Sequence, residues 1–93
     1  MPTRHAVIAS SSGLHARPAA LFTQAVAASG VPVTLTVGDG APIDASSILM
    51  VMALGVAQGA HVRLDADGPD AERVLDELVA LLETDLDAPQ ATP

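Results

Sequence analysis

The chain has no cysteine, no lysine, no tryptophan and no tyrosine among its 93 residues. Without cysteine there is no disulfide to staple a small domain, no thiol nucleophile and no thiolate to hold a metal. The three histidines, His5, His15 and His61, lack ligand spacing, so no metal site and no cofactor are expected. A single aromatic residue, Phe22, leaves the core to Val, Leu, Ile, Met and Ala. With 49% of residues hydrophobic there is enough apolar material for one core. Positive charge is scarce: four Arg stand against eleven acidic residues, for a net charge of −7. That balance argues against a nucleic-acid partner and favours docking onto basic protein surfaces. No apolar run approaches the length of a membrane span, and Met1-Pro2-Thr3-Arg4-His5 is not the start of a long apolar segment. A soluble cytoplasmic protein with no membrane insertion is the expectation.

The residues that could carry chemistry collect at Gly13-Leu14-His15-Ala16-Arg17-Pro18-Ala19-Ala20, after the loop Ser10-Ser11-Ser12. Proline fits the first turn of a helix, where its missing N–H is not needed, so Pro18 puts His15 at or near an N-cap. The backbone amides of Ala16 and Arg17 then have no intrahelical acceptor, and the helix dipole adds positive character at that end. An anion placed there meets backbone donors, and Arg17 adds a planar fork suited to phosphate or carboxylate. Nearby positive charge also disfavours imidazolium, so the His15 ring is expected to be neutral and nucleophilic. A phosphoryl group accepted by that ring would land among donors already in position.

Periodicity supplies the frame. Thr3 to Ala9 reads as a strand, with His5 facing solvent. Ala16 to about Ala28 reads as a helix with Ala19, Phe22 and Val26 on its apolar stripe, stopped by Ser29-Gly30. Val31 to Val37 alternates, Val33, Leu35 and Val37 on one face and Thr34 and Thr36 on the other. The turn Gly38-Asp39-Gly40 leads to a short return strand, Ala41 to Asp44, in which Pro42 requires an edge or an irregular segment. Ser46 or Ser47 caps a short helix ending at Gly55, apolar on nearly every face, too much for one small sheet to bury. An exposed partner surface is therefore expected on it, and its methionines suit a surface that fits more than one partner. Ala60 to Asp67 alternates again, with His61 outward, and Gly68-Pro69-Asp70 opens a last helix whose buried stripe is Val74, Leu75, Leu78, Val79 and Leu82. Residues 87–93 read as a frayed tail. The order βαββαβα predicts an α+β fold, an open-faced two-layer sandwich with a four-stranded antiparallel sheet and three helices on one face.

The string from Gly13 to Ala20 is similar to the active-site motif of the HPr family, the histidine-containing phosphocarriers of the bacterial phosphoenolpyruvate:sugar phosphotransferase system. A second block, Ser47-Ile48-Leu49-Met50-Val51-Met52-Ala53-Leu54-Gly55-Val56, resembles that family's short second helix beginning at its regulatory serine. Gln58-Gly59-Ala60 before a strand continues the likeness, which spans about Thr3 to Leu86. The resemblance implies one HPr-like domain over residues 1–88, followed by a disordered tail over 89–93. It implies a carrier rather than an enzyme: His15 receives a phosphoryl group from phosphorylated enzyme I and relays it to the A domains of sugar-specific enzymes II. On the same likeness Arg17 stabilises the phosphoryl group, and Ala20, Ile48, Leu49 and Met52 dock both donor and acceptor. Ser47 becomes a candidate for regulatory phosphorylation, with a serine kinase or transcriptional regulators as further partners, and a monomer is expected. The chain departs from the family in lacking lysine around the second helix, Met50 standing where some members have a basic residue. Two other readings stay open at this point: a regulatory paralogue that binds a transcription factor or enzyme without relaying phosphate, and an unrelated small α+β domain that binds a ligand.

Overall fold

Alternation through Val62, Leu64 and Ala66 turns three side chains to one side of a strand, and burying that side organises the whole domain. The computed structural model describes residues 2–11 and 13–85. Its elements are β1 (Thr3–Val7), α1 (Ala16–Ser29), β2 (Val33–Val37), β3 (Ile43–Asp44), α2 (Ile48–Ala53), β4 (His61–Ala66) and α3 (Ala71–Leu82). The strands form one sheet in the order β1-β4-β2-β3, every neighbouring pair antiparallel. The helices cover one face of that sheet, giving the expected open-faced sandwich. α3 lies on β1 and β4, α1 packs between α2 and α3, and α2 also touches β3.

The core between the layers is aliphatic apart from Phe22, which is fully buried with Ile8, Leu14, Leu35, Leu64, Leu75 and Val51. Truncating Phe22 to alanine would cost about 3–5 kcal/mol, because a small core has little means of refilling that volume. Gly30 ends α1 in the left-handed conformation (φ 70°), its amide donating to the Ala27 carbonyl at 3.3 Å, so the expected stop lies one residue after the last helical serine. Ser47, rather than Ser46, caps α2: its Oγ accepts from the Met50 amide at 3.4 Å. Ser46 turns to the Asp44 carboxylate instead, through both its amide (2.9 Å) and its hydroxyl (2.7 Å), and these bonds hold the Asp44 carboxyl below the usual carboxylate range.

The strands are shorter than periodicity suggests, for identifiable reasons. β1 stops at Val7 because the ladder becomes irregular beyond it: Ile8 still donates to the Ala60 carbonyl at 3.0 Å, but its own carbonyl accepts from Gly59 at 2.8 Å and Ala9 donates to the Leu82 carbonyl at 3.0 Å. The outward amide of Val7 donates to Glu83 Oε2 at 3.1 Å, so the end of α3 closes that rim of the sheet. β2 begins after Pro32, and β3 is cut to two residues by Pro42, neither proline having an amide to give. β3 does form the edge that Pro42 predicts. The expected tail lies outside the described residues.

Candidate functional site

The approach to α1 is built by a tertiary contact. Gly13 donates to the Ser10 carbonyl at 2.9 Å and takes a left-handed φ of 74°, and a Cβ on it would collide with the Val56 carbonyl oxygen. Only glycine allows that approach. The next amide, Leu14, donates to the same oxygen at 2.9 Å while the Leu14 side chain enters the core. Thus the loop before α1 is joined to the loop after α2. The other side of the approach is held by Asp85, whose two carboxylate oxygens accept from the Ser11 amide (3.1 Å) and hydroxyl (3.0 Å), and by Gln58, which donates to the Ala9 carbonyl at 3.1 Å.

Between buried Leu14 and buried Pro18, the chain exposes three consecutive residues, His15, Ala16 and Arg17. His15 is the N-cap, in extended conformation (φ −132°, ψ 151°), and its ring makes no capping bond, so the imidazole is available to solvent. Pro18 occupies the third helical position, which leaves Ala19 as the first residue whose amide can reach an intrahelical carbonyl, that of His15. The amides of Ala16 and Arg17 have no acceptor among the described residues. No acidic side chain stands in the first turn to neutralise them. Ala16 has φ 45°, the one described non-glycine residue in the left-handed region, at a cost of about 1–2 kcal/mol. Arg17 makes no side-chain hydrogen bond or ion pair among the described residues, whereas Arg4, Arg63 and Arg73 are each paired with carboxylates. The arrangement therefore offers an exposed imidazole, two unclaimed amides and an unclaimed guanidinium at the positive end of a 14-residue helix. Together they can seat an anion held covalently by the ring.

The second block lies on the helix that packs against α1. Val51 anchors α2 in the core, while Leu49 is 80% exposed, Met50 44% and Ile48 39%. Met52 and Ala20 are half-buried. The expected apolar surface is present, and it includes Met50, which the sequence reading left out of the docking set. The signal was in the pattern, since a six-residue helix with an apolar residue at every position turns some of them outward. The Gly13 contact with Val56 and the Asp85 clamp were missed, and spacing along the chain carries no sign of either. His5 and His61 lie exposed on strands, outside this site.

Comparison with known proteins agrees with this geometry. A family model described as the PTS HPr component phosphorylation site matches residues 2–84. A phosphocarrier protein HPr of Streptomyces coelicolor is 42% identical over 82 residues, covering 88% of each chain. One of Haemophilus influenzae is 36% identical over 84 residues, covering 90% of this chain and 98% of that one. Among solved structures, an HPr from Thermoanaerobacter tengcongensis superposes with a TM-score of 0.82 at 40% identity, covering 89% of this chain and 92% of its own.

Proposed function

The chain belongs to the HPr family of phosphocarriers of the phosphotransferase system, and from that premise we propose that His15 is the residue that carries the phosphoryl group. Its donor is the phosphohistidine of enzyme I and its acceptors are the A domains of enzymes II. The observation that supports this most directly is the exposed N-cap imidazole beside the two unclaimed amides and Arg17. As the nitrogen–phosphorus bond of the donor breaks, one forms to a neutral His15 ring, and the equatorial oxygens of the moving group carry the charge. The Ala16 and Arg17 amides and the guanidinium meet that charge without reorganising. Because they lie at the surface, the same group stays open to the next acceptor.

Ile48, Leu49, Met50 and Met52, with Ala20, form the face on which donor and acceptor dock in turn. Ser47 begins this ridge, so a phosphate on its Oγ would replace a modest cap bond with a dianion beside the docking residues and oppose partner binding.

Purified protein mixed with enzyme I and phosphoenolpyruvate should gain one acid-labile phosphate by mass spectrometry, and His15→Ala should gain none. Uptake by that variant would remove His15 from the role. Leu49→Asp should keep the parent Tm, since Leu49 is exposed, while slowing transfer from enzyme I about tenfold. A parent-like rate would move docking off α2.

A further inference from the structure

Phosphoryl carriage at α1 makes no use of the uncovered face of the sheet, yet that face collects hydrogen-bond donors. Alternation sends His5 of β1, Thr36 of β2, and His61 and Arg63 of β4 away from the helices. Register lines them up: His5 is opposite Arg63, Arg63 is opposite Thr36, and His61 stands two residues before Arg63, diagonal to His5. With Gly38 they line a shallow hollow of about 200 Å³. One of the chain's four arginines and two of its three histidines thus share one depression on a protein of net charge −7.

Thr36 is the unusual member. Periodicity predicts a solvent-facing hydroxyl, but the residue is 4% exposed, and Thr36 Oγ1 is the one buried side-chain polar atom without a partner among the described residues. An unsatisfied buried hydroxyl forgoes the bonds it makes in water and so destabilises the fold. Its cross-strand neighbour Arg63 is half-exposed and tethered through Nε to Asp65 Oδ2 at 2.9 Å, which leaves both terminal guanidinium nitrogens without a partner among the described residues. Asp65 is itself fixed by the Thr3 hydroxyl at 2.6 Å, a bond that, ahead of its Arg63 contacts, holds its carboxyl below the usual range. The His5 and His61 side chains have no hydrogen bond or ion pair among the described residues, and each ring carries at least one N–H whatever its charge.

We propose that this hollow is a second anion site, distinct from the helix tip, that takes the phosphate group of a small phosphate monoester. Donors from three strands surround it, which suits the three terminal oxygens of a tetrahedral anion. A planar carboxylate would engage the guanidinium fork and leave the other donors idle. A cation is disfavoured by Arg63 between the imidazoles, and no group of three or more metal-ligating side chains occurs among the described residues. Binding would give Thr36 the partner it lacks.

The test is an NMR titration of isotopically labelled His15→Ala protein with glycerol phosphate, following the His5 and His61 ring signals, with inorganic phosphate and acetate at matched ionic strength as separate arms. Saturable shifts at both rings, with a Kd on the order of millimolar, are expected for glycerol phosphate. Arg63→Gln should weaken binding about tenfold. Thr36→Val should weaken it severalfold while raising Tm, because it deletes the unsatisfied hydroxyl. No saturable shift in His15→Ala, equal shifts with acetate, parent-like affinity in Arg63→Gln, or binding of inorganic phosphate alone would each overturn the assignment. Because His15 is absent, none of these outcomes depends on whether that residue carries phosphate.

Discussion

The two long helices begin in opposite ways. α3 starts at Asp70, carries Glu72 in its first turn and adds Arg73, which reaches both Asp70 (3.9 Å) and Glu77 (3.2 Å). Its positive end is answered by carboxylates of its own chain, each contributing a few tenths of a kcal/mol. α1 has no acid in its first turn, an arginine there with no ion pair among the described residues, and a left-handed alanine directly after its N-cap. In the same chain, then, one helix end is neutralised from within and the other is kept electropositive at a cost in stability. The cost falls where an external anion can repay it.

Three substitutions at α1 test that contrast. Gly13→Ala should have the largest effect: it forces a Cβ against the Val56 carbonyl at positive φ and should lower stability by about 3 kcal/mol, a fall in Tm of roughly 10–20 °C in urea and thermal melts. A neutral outcome would mean that the loop before α1 is not held by that contact. Arg17→Ala should slow phosphoryl transfer about tenfold with stability unchanged, since the side chain is exposed and makes no hydrogen bond or ion pair among the described residues. A parent rate would show that the amides suffice without the guanidinium. Ala16→Gly should have the smallest effect and the opposite sign, raising stability by up to about 1 kcal/mol by relieving the left-handed alanine. A loss of stability would place the cost of the α1 start elsewhere.

Much of this was legible beforehand, and the reason is local. The stripe of Phe22 and Val26, the alternation of Val62, Leu64 and Ala66, and the cap residues before α1 and α2 are properties of neighbours along the chain, and each lies where its pattern puts it. His15 and Arg17 could be placed for the same reason, because Pro18 fixes a helix start within a few residues. What escaped depends on register or on distant partners. An alanine gives no sign that residue 16 will adopt positive φ. Gly13 looks like an ordinary loop glycine until Val56 is brought against it. Thr36 obeys the period of two and faces away from the helices, yet is buried, and His5 and His61 come together only through the β1–β4 register, which neither strand carries alone.

The contact between Glu83 and the last outward amide of β1 has a consequence for company of the same kind. A strand at the border of a sheet invites a foreign strand to extend the ladder, and here the terminal rung is already occupied by a carboxylate from the chain itself. An arriving strand would have to evict that carboxylate, leaving an anionic oxygen facing its own backbone carbonyls. The border thus discourages sheet-to-sheet growth without a covering helix or a proline in β1.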